Sequence, residues 1–279
     1  LPRETSALPV PEQRLDFSFD RRVAPDYDAV RGHPPAVSVE IGRVIANEIG
    51  EGGLLFEPGV GTGRIALPAV AAGCEVVGAD LSAEMLSALN TVSNHETGRL
   101  HLVRCDLDHL PFKPQVFDAV LCVHVLHLIA DWQALLANLL RLTKPGGTIM
   151  LGRDWIDPQS FAGKIRHEFR MAAVQLSEQI SAPPGARAFV GRLIELGAQP
   201  VDEGQERTAA EWQTELTPRQ VLDQIREKDD AESWVLPDEL LVRVMERLDA
   251  FAASEFDDVD RPLPVTRRFV YSQFRVPQV

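Results

Sequence analysis

Cysteine is scarce in this sequence, with three in 279 residues: Cys74, Cys105 and Cys122. Their spacing suits neither a metal-ligand set nor a disulfide framework, so they read as reduced thiols in or beside strands of an intracellular protein, and no metal site is implied. Basic residues are short as well, 28 Lys and Arg against 41 Asp and Glu, for a formal net charge of -13. A phosphate backbone is gripped by clustered Lys and Arg, and no dense basic run exists here, which weighs against a nucleic-acid partner. No apolar run is long enough to cross a membrane, and the N-terminus lacks the basic-then-apolar pattern of a signal peptide. The expectation is a cytoplasmic protein with no membrane contact. Internal repeats and low-complexity tracts are missing, and no Met precedes Met85, which points to a trimmed start at Leu1. What is there, at 45% hydrophobic residues, is enough for one large α/β domain, or for one with an appended lid.

The stretch that organises the chain is Leu54-Leu55-Phe56-Glu57-Pro58-Gly59-Val60-Gly61-Thr62-Gly63-Arg64-Ile65-Ala66. A short apolar run that stops at alternating glycines predicts a buried parallel strand, a tight loop and a helix, with the glycines letting the backbone turn and approach a ligand. Pro68 is tolerable only if that helix starts near Arg64, where the first N–H groups lack intrahelical partners. Gly61 to Ala66 also fits the dinucleotide pattern G-x-G-x-x-A, so this loop alone leaves a nicotinamide-type ligand open. Further strands are expected over Cys74–Ala79, ending in Asp80, and over Leu100–Arg104, ending in Asp106. A fourth is expected over Phe117–Val123, followed by His124, and a fifth after Lys144-Pro145-Gly146-Gly147. Each strand-terminal acid is placed to accept hydrogen bonds from a nucleoside.

Five motifs in this order and spacing resemble the class I S-adenosylmethionine-dependent methyltransferases over roughly residues 27 to 152. They are the acid-first glycine loop, Asp80-Leu81-Ser82-Ala83-Glu84-Met85-Leu86, Asp106-Leu107, Phe117-Asp118 with His124-Val125-Leu126-His127, and Lys144-Pro145-Gly146-Gly147. Within the family the sequence is most similar to the branch of ubiquinone and menaquinone biosynthesis and many small-molecule methyltransferases. The resemblance implies a Rossmann-like α/β fold with a seven-stranded, mostly parallel sheet whose last strand is antiparallel, plus a helical lid after the fifth strand. It implies S-adenosyl-L-methionine as cofactor, held by Tyr27, Arg31, Glu57, Gly59, Val60, Gly61, Gly63, Asp80, Leu81, Met85, Asp106, Leu107 and Val123. Tyr27 and Arg31 would cover its methionine end, an arginine fork suiting a carboxylate.

The remainder divides into a loose N-terminal arm over 1–20, the cofactor-binding core over 21–153, lid helices with part of the sheet over 154–258, and the final strand within 259–279. Apolar residues at helical spacing predict helices over Ala36–Ile49, Trp132–Thr143, Phe161–Ile180, Ala186–Leu196 and about 240–251. Ser82 and Asp131 are placed as N-caps, and Thr217-Pro218-Arg219-Gln220 as a capping box. Val201–Glu215 contains an expected strand. Helices at about 155–182 and 217–258 would pack near the carboxyl ends of the strands, where ligands bind in open α/β sheets.

Methyl transfer asks the protein mainly to align acceptor and methyl, with a base only where the acceptor must lose a proton. His124 is the candidate base, against the alternative that it merely caps or hydrogen-bonds locally; His127 reads as structural. Asp154 and Trp155 are candidates for the acceptor pocket, His33 and His167 weaker ones. The expected activity is transfer to a small, apolar or aromatic acceptor. Alternatives are a non-catalytic S-adenosylmethionine-binding protein and a protein or RNA methyltransferase. Oligomeric state is not legible.

Overall fold

Leu54–Pro58 forms strand β1, and its two faces show why the run is apolar throughout: Leu55 faces one hydrophobic cluster and Phe56 the other, both fully buried. The computed structural model describes residues 32–278 apart from 51, 94–97, 178–183, 230–232 and 234–235. The expected N-terminal arm over 1–20, Tyr27 and Arg31 lie outside the described residues.

After α1 (Pro35–Ile49) and β1 come α2 (Ala66–Ala71), β2 (Glu75–Asp80), α3 (Ala83–Val92), β3 (Leu100–Arg104), β4 (Phe117–Val123), α4 (Trp132–Leu142) and β5 (Thr143–Ile156). The C-terminal part adds α5 (Phe161–Leu176), α6 (Ala186–Glu195), β6 (Gln199–Pro200), β7 (Arg207–Leu216), α7 (Pro218–Arg226), α8 (Asp238–Glu255) and β8 (Leu263–Arg275). The sheet runs β3-β2-β1-β4-β5-β8-β6, with β7 also paired to β8. β1 to β5 are parallel; β8 is antiparallel to β5, β6 and β7.

The strand count is a correction, eight among the described residues in place of seven. The strand expected within Val201–Glu215 is β7, and the two-residue β6 ahead of it is the addition. Between them the backbone enters the left-handed region at Asp202 (φ 50°) and Glu203 (φ 57°), which no strand tolerates. α2 is assigned from Ala66, with helical bonding already under way from Gly63, whose carbonyl accepts from Leu67 N–H at 2.9 Å, so Pro68 falls in its first turn as expected.

Helices cover both faces. α1 and α2 bury Ile41, Ile45, Ala66 and Ala69 against Leu55, Leu121, Phe269 and Tyr271. On the other face, α4 and α6 bury Leu135, Leu136, Leu139 and Leu193 against Phe56, Val120, Ile149 and Phe274. Each such leucine contributes about 1.5–3 kcal/mol over an exposed one. The caps stand as read: Ser82 accepts from the Met85 N–H at 3.1 Å, Asp131 from the Ala134 N–H at 2.9 Å, and Thr217 and Gln220 form the reciprocal box.

A third cluster joins α5, α7 and α8 through Ile165, Phe169, Val221, Ile225, Val244 and Leu248, and ties them to Ile156, Leu216, Leu263 and Val265. Those last four residues mark the ends of β5 and β7 and the start of β8, so the helical unit stands on the carboxyl side of the parallel strands.

Candidate active site

The carboxyl ends of the parallel strands line up in sheet order as Asp106 after β3, Asp80 on β2, Glu57 and the glycine loop on β1, His124 after β4, and Asp154 on β5. This row follows from the topology alone, because neighbouring parallel strands present their ends at one edge.

The loop after β1 is pinned first. Gly59 and Val60 N–H groups donate to the Ala79 carbonyl at 2.7 and 3.0 Å, and Gly61 N–H donates to Asp80 Oδ2 at 2.9 Å. The other Asp80 oxygen accepts from Ser82 N–H at 2.9 Å. Burial pushes the Asp80 carboxyl up, opposed by the N–H groups of Ser82, Gly61 and Leu81.

The three glycines differ. A Cβ on Gly59 would lie 2.6 Å from the Val125 side chain, and one on Gly63 2.3 Å from Leu89, so packing already demands glycine at both. Gly61, at φ 53°, would point a Cβ into open space, leaving a cradle that a side chain would fill.

Glu57 is 3% exposed and its Oε2 has no hydrogen-bond partner among the described residues. Burial pushes its carboxyl up to about 8, with the Arg64 charge opposing and the Asp80 charge adding.

The expected residues further along divide by exposure. Leu81 stands 62% exposed beside Asp80, while Met85, Leu107, Val60 and Val123 are buried in the interior. Asp106 accepts from the Asp108 N–H at 3.0 Å and so caps the turn that carries Leu107.

At the far end a polar cluster gathers around Asp154. Its Oδ1 lies 2.7 Å from His33 Nε2, and its Oδ2 lies 2.7 Å from Arg64 Nη1 and 3.1 Å from His124 Nε2. Burial would raise this carboxyl, but the Arg64 charge and the bonds from His124 and His33 hold it well below the usual carboxylate range. His33 packs edge-on against Trp212 and Phe269, ring centroids 5.3 and 5.9 Å away. His124 takes a left-handed backbone, φ 51°, uncommon outside glycine and a reason to look for function.

Of the sequence candidates, Asp154, His124 and His33 therefore meet, and Arg64 joins them unforeseen. Its one signal was a cation directly after the last glycine. Trp155, one residue on, faces the other side of the pleat, where the Arg268 guanidinium lies 4.6 Å over its ring. His167 is on the exposed face of α5, and His127 sits in a short turn over Leu126–Leu128. Among the described residues no group of three or more His, Cys, Asp or Glu is arranged to hold a metal ion, and no helix is long and apolar enough to cross a membrane.

The row fits S-adenosylmethionine. Asp80 and Asp106 would accept from ribose and adenine, Gly61 leaves the space, and the Glu57 Oε2, without a partner among the described residues, would suit the ammonium of the methionine end.

Comparison with known proteins agrees. Residues 56–151 match the model of a methyltransferase domain. Demethylmenaquinone methyltransferase of Mycobacterium marinum is 27% identical over 168 residues, 60% of this chain and 70% of that one. Its counterpart in Streptomyces avermitilis is 36% identical over 141 residues, 50% of this chain and 59% of that one. The phosphoethanolamine N-methyltransferase 2 of Haemonchus contortus, solved with S-adenosyl-L-methionine, superposes with a TM-score of 0.54 at 18% identity, covering 94% of this chain and 59% of that one, a likeness of fold. With the strand-end acids, the glycine loop and the matched domain in register, residues 56–151 form a methyltransferase domain, and the chain is similar to the S-adenosylmethionine-dependent methyltransferases.

Proposed function

We propose that this enzyme methylates a small, mainly apolar or aromatic acceptor held beyond the carboxyl ends of β4 and β5. When bound, the cofactor supplies an electrophilic methyl group whose C–S bonding pair stays on sulfur. Asp106, Leu81 and Leu107 would flank the adenine, Asp80 the ribose, and Glu57 and the loop through Gly61 the methionine end. The chain's own task is to align the two reactants and keep water out.

The observation that carries the reading is the single row from Asp106 to Asp154, which ends at His124 and Asp154 where the third apolar cluster begins with Ile156. Aromatic side chains, Trp212 and Phe269, adjoin His33 of the polar cluster, which supports an aromatic, quinone-like or lipid-like acceptor over a charged polymer. The net charge of -13 supports the same choice against RNA. On this reading α5, α7 and α8 form the acceptor lid.

The test is incubation with methyl-labelled cofactor and a panel of hydroquinones, phenols, fatty acids, a basic peptide and RNA, followed by mass spectrometry. Labelled product from hydroquinones, phenols or lipids is expected. Label only in RNA or peptide, or cofactor binding without turnover on any class, would overturn it.

A further inference from the structure

The Asp154 cluster holds more than a cofactor cradle needs. Arg64 alone, 2.7 Å away, neutralises the Asp154 carboxylate, yet two imidazoles are drawn onto the same carboxylate from segments 121 and 30 positions distant. Side-chain exposure rises outward through the cluster: His33 2%, Arg64 11%, Asp154 30%, His124 32%. His33 and Arg64 thus form the inner wall, and His124 is the member that reaches the site. The group that meets His124 is Asp154 from β5, whose carboxylate it shares with Arg64 from the loop and His33 from ahead of α1.

We propose that Asp154 is a positioning residue that holds His124 in its Nε2–H tautomer, so that the Nδ1 lone pair takes a proton from an acceptor bearing an ionisable O–H or N–H. The inference deepens the methyl-transfer reading and rests on it.

The tautomer follows from competition for one ring nitrogen. Asp154 Oδ2 lies 3.1 Å from His124 Nε2 and the Asp154 backbone N–H lies 3.2 Å from it. The first contact needs a proton on Nε2 and the second needs none there. A carboxylate carrying full charge is the stronger partner, and charge-assisted bonds prevail over neutral ones at equal length. The left-handed backbone of His124 places the imidazole at this carboxylate at a conformational cost that a local cap would not require.

The proton step balances within the site. The acceptor's proton moves to Nδ1, and the O–H or N–H bonding pair stays on the acceptor atom, which is thereby the nucleophile for the methyl group. The imidazolium then faces the Asp154 carboxylate and returns its proton to water. A phenol, a hydroquinone or a protonated amine meets this requirement; an acceptor without such a proton does not.

The test is nitrogen-15 NMR of the histidine rings of the full chain, with and without S-adenosylhomocysteine, His124 being assigned by the spectrum of His124→Gln. The expected result is an at least tenfold excess of the Nε2–H form at His124. That excess should be lost in Asp154→Ala, regained in part in Asp154→Glu, and kept in His33→Gln. A wild-type His124 mainly in the Nδ1–H form, or an excess unchanged in Asp154→Ala, overturns the proposal. Should Asp154→Ala not fold, the wild-type spectrum decides. Failure of S-adenosylhomocysteine to bind would instead count against the methyl-transfer reading, and the ligand-free spectrum would still judge this one.

Discussion

Gly61→Ala separates ligand space from folding need. The residue adopts φ 53°, and an added Cβ would meet nothing within 4 Å, so the new methyl costs only the left-handed backbone. That cost is about 1–2 kcal/mol, which lowers the melting temperature of a chain of this size by roughly 2–8 °C. The Gly61 N–H to Asp80 bond at 2.9 Å survives, because only the side chain changes. With cofactor at about a hundred times its dissociation constant, the parent gains about 2.7 kcal/mol, an upward shift of roughly 5–10 °C. In Gly61→Ala that shift should vanish, since the methyl occupies the cradle. Gly63→Ala is the contrast: its Cβ would sit 2.3 Å from buried Leu89, at φ 84°, so overpacking of about 1–3 kcal/mol adds to the backbone cost and the ligand-free protein itself melts lower. Differential scanning fluorimetry with S-adenosylhomocysteine reads both. A Gly61→Ala protein that keeps the parent's ligand-induced shift refutes the reasoning.

Three further outcomes are expected. Glu57 sits at about 8 when folded against about 4.3 unfolded, so its contribution to stability is fully present below about pH 4.3 and is lost as pH rises through 8; Glu57→Gln should flatten that decline in chemical denaturation of the ligand-free protein. Cofactor binding near pH 7 should accordingly release close to about one proton, visible as a buffer-dependent enthalpy in calorimetry and missing in Glu57→Gln. Asp80→Ala removes both an acceptor facing the ribose and the anchor of Gly61 and Ser82, and should weaken cofactor binding by at least about tenfold, with Asp80→Asn milder; unchanged affinity would remove Asp80 from the site. Leu248→Ala, at a fully buried position in the cluster of α5, α7 and α8, should cost about 2–5 kcal/mol while leaving the affinity of the folded protein for cofactor unchanged.

What the sequence made legible is what period and punctuation encode. β1, β2 and β4 are short apolar runs because both their faces are covered, and each run stops where an acid, a glycine or a histidine turns the chain. α4 and α8 show their buried apolar residues at spacings of three and four, and Ser82, Asp131 and Thr217 cap where their hydroxyls and carboxylate allow. β6 was hidden because two residues, Gln199 and Pro200, are too few to show a period. The glycines were read as one set, yet Gly59 and Gly63 answer to Val125 and Leu89, partners 66 and 26 positions away.

The Asp154 cluster was hidden for a related reason that bears on function. Its four side chains come from before α1, the exit of the glycine loop, and the ends of β4 and β5, and no local pattern links 33, 64, 124 and 154. Only the parallel register of β4 with β5, with Val123 opposite Gly152, brings His124 beside Asp154. The antiparallel register of β8 then puts Phe269 opposite Asp154, which completes the aromatic wall behind His33. The cofactor half of the site is thus written in contiguous motifs, since one loop and three strand ends hold one unvarying molecule. The proposed acceptor half is assembled from distant segments, where β5, β7 and β8 carry α5, α7 and α8. On the proposed reading, substrate choice would depend on long-range register and on the packing of those helices, and could change there without disturbing the row from Asp106 to Glu57.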